Sequence, residues 1–538
     1  MKNIIYILLL FPSMLFSQNW QWANKVGSNI FQSTDFANVI TDGTNSYLVG
    51  RYSGALYLQT DTLYAIGTNG LFVIKYDASG NEMWAKGFGG NNTAPGKINQ
   101  VYGVFNPTDN YIYLSGRFYG QMILDTVDTL TAGSFSELYM AKMDLNGNFI
   151  WGKSVNTYLA DDMAYVFVQP DGNLFLAGTV GDTAYFDTIQ VATGGFFARY
   201  DTNGNCLWAR HEFSGITGIN INISFIGNDI VMSGTFNSNP TTIDTTTLIN
   251  NNNSFDGYLS RMDSIGRIKW IQSFGYGGSD AFSGAVIDNS NNIFICGAFE
   301  DSIKIDGVTL TNQGRDILIA KFTESGNLVW LRQTNAINNV GGGGDITIDN
   351  NENCYITGYF SGSDTFGTYN ISTSNTYDMF LTRYNTNGDC LGVRHFGYAG
   401  GNSVVTDNSD NPICAGGFQN TVTIGTSTFT SNGYFDIFLA KSDVFTGIDT
   451  IGRNANNQLL IYANPNQGKC TITVPDDFLH EKNLTLSIYD NAGKRIQQKT
   501  FEMNDGKIKL NLEAEAKGVY NVTLTNGKKW FSGRIIFE

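Results

Sequence analysis

Carboxylates are the best-supplied titratable groups in this 538-residue chain, and four of them, with one amide, stand where they could act together. Asp35, Asp162, Asp280, Asp345 and Asn402 fall in the loops joining one repeated strand group to the next, near the start of an inner strand. Side chains so placed would ring the mouth of a central channel and bind a cation or sugar hydroxyls. The plainer reading is a set of solvated loop residues. Acid–base chemistry is poorly provided for, with three histidines in all. His211 and His395 occupy equivalent repeat positions, each after an Arg, and His480 lies near the C-terminus. No Gly-x-Ser-x-Gly elbow or zinc-type His/Glu motif occurs, and the run Gly341–Gly344 lacks the helix and lysine of a phosphate loop. We assign no catalytic residue, metal or cofactor, and expect a non-enzyme.

The remaining acids have structural explanations. Asp77, Asp144, Asp201, Asp263, Asp288 and Asp349 stand where turns favour an Asx side chain. The turns beginning at Asp288 and Asp349 could hold calcium weakly, but they lack the spaced ligands and closing acid of a dedicated loop. The six cysteines form no disulfide framework: Cys206 and Cys390 fall at equivalent turns and Cys296, Cys354 and Cys414 at different registers of one strand, too far apart around a ring to pair.

The elements that would position these residues repeat. At intervals of about sixty residues an alternating strand runs into Gly50, Gly116, Gly178, Gly234, Gly297, Gly358 and Gly416. Half a unit away, Asp77 to Gly80 to Trp84 recurs as Asp144/Gly147/Trp151, Asp201/Gly204/Trp208 and Asp263/Gly266/Trp270, then more weakly as Thr323/Gly326/Trp330. A last copy, Asn385/Gly388, carries Gly392 in place of the Trp. Each copy reads as a hairpin whose Gly takes a positive φ. A second hairpin precedes the glycine series, and a Thr-rich β excursion lies between the two, so one unit holds four strands. The chain opens with Trp20-Gln-Trp22, a fourth strand lacking its first three, and the last unit stops at a third strand, Ile437–Lys441. The fragments complement each other, which predicts an all-β, seven-bladed propeller over residues 19–445 closed by the N-terminal strand. Trp22, Trp84, Trp151, Trp208, Trp270 and Trp330 are expected to pack between blades, at a cost of roughly 3–5 kcal/mol on truncation.

The stretch Phe274-Gly-Tyr-Gly-Gly-Ser-Asp280, with Val286-Ile-Asp288 and Ile293-Phe-Ile-Cys-Gly297, resembles the bacterial secreted β-propeller repeat family, often called SBBP. The resemblance implies an extracellular propeller and names no activity.

The chain starts Met-Lys-Asn and continues with an apolar run to Phe16, so residues 1–17 read as a cleaved secretory signal. No later stretch is apolar enough to span a bilayer. A net charge of −15 disfavours nucleic acid. Residues 446–456 read as a linker, and residues 457–538 as a small β-sandwich of short alternating strands. Its motifs are Asn464-Pro465 with Gly468, Tyr489-Asp490-Asn-Ala-Gly493, and Gly518-Val-Tyr520. They resemble the type A C-terminal sorting domain of the type IX secretion system of Bacteroidetes, apart from Ala463, where that family usually has a second proline. The resemblance implies export across both membranes by the type IX machinery, removal of the sorting domain, and a propeller anchored at the surface or released. The expected function is a non-catalytic binding or adhesion module for an extracellular glycan or protein. The rivals are an enzyme on extracellular polysaccharide using channel-mouth carboxylates, and a structural surface-coat component.

Overall fold

In the computed structural model the chain divides into two units, Met1–Phe445 and Thr446–Glu538. The structure describes residues 20–28, 37–67, 69–91, 99–156, 164–214, 221–237, 240–250, 254–275, 278–336, 341–432 and 435–445 of the first. Of the second it describes 459–462, 466–475, 478, 481, 483–490, 495–502, 506–526 and 530–537.

Among the described residues the larger unit is a succession of seven four-stranded antiparallel meanders, the strand order of a propeller blade. The first runs Ala37–Thr41, Ser46–Tyr52, Gly70–Tyr76 and Glu82–Gly90. The sixth runs Gly341–Ile348, Cys354–Phe360, Asp378–Tyr384 and Cys390–Gly397. The seventh takes three strands from Ala399–Ser442 and its fourth from Trp20–Ser28, which pairs antiparallel with Asp436–Ser442 (Asn24 opposite Leu439, Val26 opposite Ile437). Second and third strands are buried on both faces because sheets pack face to face, which explains their unbroken apolar runs. Apolar clusters lie between successive sheets. One joins Val49 and Val73 of the first to Leu114 and Ala141 of the second. Another joins Ile413 and Leu439 of the seventh to Val39 and Phe72 of the first.

The repeated glycines have a steric cause. A Cβ on Gly297 would lie 2.0 Å from the carbonyl oxygen of Ala281, and one on Gly416 1.9 Å from that of Gly400. First and second strands approach so closely there that no side chain fits.

The predicted Asp-to-Trp hairpins have their expected geometry, and their Trp residues reach the next sheet. Asp77 accepts hydrogen bonds from the backbone of Ser79 and Asn81, each at 2.9 Å, and Gly80 follows at φ +81°. Trp22 Nε1 donates to Ala78 O, Trp84 to Leu145 O, Trp270 to Glu324 O and Trp330 to Thr386 O, all at 3.0–3.1 Å. Trp330 is 7% exposed. Trp22, Trp84, Trp151, Trp208 and Trp270 are half-buried and pack against the apolar clusters between sheets. The sixth sheet, with Gly392 in the Trp position, borrows its aromatic group. Phe445, the last residue of the unit, packs 5.7 Å from the Tyr355 ring, as Trp330 packs 5.9 Å from Phe294. The guanidinium of Arg394 lies 4.3 Å over the Phe445 ring.

Excursion hairpins leave each sheet between its second and third strands, and several pair with the fourth strand of the preceding sheet. Tyr57 stands opposite Gly27, and Ile123 opposite Gly89. Among described residues the smaller unit has a three-stranded and a four-stranded antiparallel sheet sharing one apolar core, with Ile472 and Leu510 from one and Ile488, Val522 and Ile535 from the other.

Candidate functional site

Innermost strands begin at the sheet edge from which the excursion hairpins emerge, since Ala37 pairs with Gly50 and the hairpin follows Tyr52. At that edge the starts of all seven innermost strands line one cavity of about 350 Å³. Its lining includes Asn38, Tyr102, Tyr165, Asn222, Ser283, Asp345 and Asn402, at least one residue from every sheet.

Hydrogen bonds between neighbouring strands fix the wall. Asn38 Oδ1 accepts from Gly103 N at 3.0 Å, and Ser403 Oγ accepts from Val39 N at 3.3 Å. Asp345 Oδ1 accepts from its neighbour Ile346 N at 2.8 Å, and Oδ2 from Val404 N of the seventh sheet at 2.9 Å. Burial pushes the Asp345 carboxyl up to about 6, against these N–H groups, which hold it down. Asp345 therefore ties two sheets together as well as facing the cavity.

Of the five residues singled out in the sequence, Asp345 and Asn402 line this cavity together. Asp35 and Asp162 lie outside the described residues. Asp280 is displaced from the expected mouth and is fully buried beside the third strands of the fourth and fifth sheets. Its Oδ1 accepts from Glu300 N at 3.3 Å, while Oδ2 has no partner among the described residues. Burial, with Asp256 and Glu300 nearby, raises its pKa to about 8.

The Asp turns considered for calcium are occupied by donors. Asp288 accepts from the backbone of Ser290 and Asn292 and pairs with Lys321 at 3.0 Å. Asp349 accepts from Asn351 and Asn353 and pairs with Arg383. N–H groups and a cation are the opposite of a calcium shell, which is built from oxygens. The same pairing recurs as Lys142–Asp109 (2.9 Å), Arg261–Asp229 (2.7 Å) and Lys441–Asp407 (2.6 Å). Sequence reasoning missed these cations. The signal was present as a Lys or Arg two residues before the turn residue in each third strand, from Lys75 to Lys441.

His395 Nδ1 lies 3.1 Å from Asp378 Oδ2, and its ring packs edge-on against Phe360. All six cysteines are free thiols, and burial raises the pKa of each. In the smaller unit Gly468 takes φ +93° and its N–H donates to Asn466 Oδ1, Gly518 begins a strand, and the Tyr520 hydroxyl donates to Ala516 O. Asn464, Pro465, Gly493 and His480 lie outside the described residues, as do residues 1–17 and 446–456. No described helix is long and apolar enough to cross a membrane.

Known structures similar to this chain are distant. They include the Dos1 propeller (11% identity, TM-score 0.36, covering 79% of this chain and 96% of that one). Another is puromycin hydrolase (12% identity, TM-score 0.39, covering 83% of this chain and 60% of that one). An uncharacterized WD repeat-containing protein of Acanthamoeba polyphaga mimivirus is 29% identical over 157 residues, which is 26% of this chain and 11% of that protein. Residues 460–538 match the family model of the secretion system C-terminal sorting domain, which directs this protein to the cell surface or the extracellular space.

Proposed function

We propose that the larger unit is a closed seven-bladed β-propeller acting outside the cell as a non-catalytic binding module, and that the smaller is a β-sandwich export tag. The cavity lined from all seven sheets carries this reading. The pairing of Trp20–Ser28 with Asp436–Ser442, and the apolar cluster joining the seventh sheet to the first, support closure.

Binding is favoured by what surrounds the cavity. Tyr57, Tyr64, Phe135, Tyr185 and Phe255 belong to the excursion hairpins or adjoin them, and are 43%, 74%, 46%, 40% and 40% exposed. Large aromatic side chains held in water by short, tied-down hairpins are the usual material of recognition surfaces. A polysaccharide hydrolase would need a pair of carboxylates flanking the scissile bond. Asp345, at the cavity, already has both oxygens engaged by backbone N–H groups, which suits a wall better than a reacting acid.

The test is to present the purified chain to immobilised extracellular polysaccharides and matrix proteins and to follow both retention and product release. Retention on one class without new chain ends is the expected result. Release of reducing ends or peptide fragments would replace the binding reading with the enzymatic one.

A further inference from the structure

The cavity has two unlike walls. On one side stand Tyr102 of the second sheet, Tyr165 and Phe167 of the third and Ile221 of the fourth. The Tyr102 ring centroid lies 5.4 Å from that of Tyr165, edge-on, and 6.2 Å from that of Phe167. On the other side the sixth and seventh sheets contribute Asp345, Asn402 and Ser403 among Gly343, Gly344 and Gly401. Glycine presents only peptide groups, so apart from the Tyr359 ring of the sixth sheet this wall is amide, hydroxyl and carboxylate. Asn222 also lines the cavity, and its Nδ2 has no acceptor among the described residues.

From this division we propose that the cavity binds one neutral pyranose ring of a glycan. This inference rests on the binding function argued above and names its ligand class. A pyranose matches both walls, since its axial C–H groups form an apolar face and its hydroxyls project at the rim. The apolar face stacks on the Tyr102, Tyr165 and Phe167 arc, while the hydroxyls meet Asn402, Asp345 and the peptide groups beside them. The volume of about 350 Å³ suits one sugar unit and is at the small end of the ~300–1,000 Å³ usual for ligand pockets. The Asp345 carboxylate disfavours uronic acids and phosphorylated sugars, as does the net charge of −15.

Saturation-transfer NMR on the full chain tests this, with methyl glucoside, methyl galactoside, methyl mannoside and N-acetylglucosamine as probes and glucuronate as the charged control. Transfer to the ring C–H protons of at least one neutral probe is expected, with none to glucuronate. Phe167→Ala and Asn402→Ala should each weaken that probe by about tenfold. Met83→Ala, on an exposed fourth strand and not part of the cavity lining, should leave it unchanged. Thermal melting of each variant separates lost binding from lost folding, and the exposed Asn402 is the substitution least able to disturb the core. Absence of any neutral-sugar signal, or binding that survives both weakening substitutions, overturns the inference. If a polypeptide is retained instead and Asn402→Trp blocks it, the sugar is refuted while the binding function stands. If neither sugars nor polymers bind, both fall.

Discussion

A carboxylate removed from water is stabilised by a cation, by N–H groups or by a proton, and this protein uses each. Asp349 has Arg383 and two turn amides, Asp345 has two amides from different strands, and Asp280 has one amide and an unpartnered oxygen. Replacing Arg383 with Met should cost about 3–5 kcal/mol in denaturant unfolding, because Asp349 would be left charged and buried. Asp280 is expected to be protonated at neutral pH, its pKa being raised to about 8 from 3.8. Its contribution to stability is full below its unfolded pKa and declines as pH rises through about 8. Asp280→Asn should therefore melt like the parent near pH 3.5 and increasingly above it as pH rises from about 5 to about 8, as calorimetry would show. The turn role of Asp288 and Asp349 was legible because an Asx side chain bonds within four residues of itself. The cations recur visibly in the third strands, but that Lys321 and Arg383 meet these carboxylates was not legible, because the pairing depends on strand register.

Among elements, the Asp-to-Trp hairpin could be read completely in its local part. Its Asp, Gly and strand alternation are short-range rules, and Gly388 at φ +78° obeys them in a copy that has lost its Trp. The degree of burial of each Trp was less legible, since it depends on how far the next sheet's turn overhangs. Trp330→Ala should cost roughly 3–5 kcal/mol, whereas the half-buried Trp84→Ala should cost less than half as much. Parallel urea titrations with unchanged m-values would verify this order. The latching of an excursion hairpin onto the preceding sheet had no readable signal. Two residue pairs, such as Gly27 with Tyr57 and Ser28 with Leu56, are too few to leave a sequence period.

At the scale of the whole molecule, the sequence was most informative where it was incomplete. An opening fourth strand and a terminal third strand each lacked a partner, and Trp20–Ser28 pairs with Asp436–Ser442. Deleting residues 20–28 should expose the edge of that third strand and remove Val26 from the cluster shared with the first sheet. Loss of a cooperative melt and self-association in size-exclusion chromatography are the expected outcomes; a monomer with an unchanged melt would refute the proposed closure. The borrowed aromatic, Phe445, has a consequence for any cleavage between the two units. It is the final residue of its unit, its carbonyl accepts from Arg383 at 2.7 Å, and Arg394 covers its ring. A protease that removed the smaller unit would thus meet a sharp frontier. Severing the chain anywhere beyond residue 445 leaves the sixth sheet corked, whereas trimming only a few residues further inward would pull the cork out with the discarded tail.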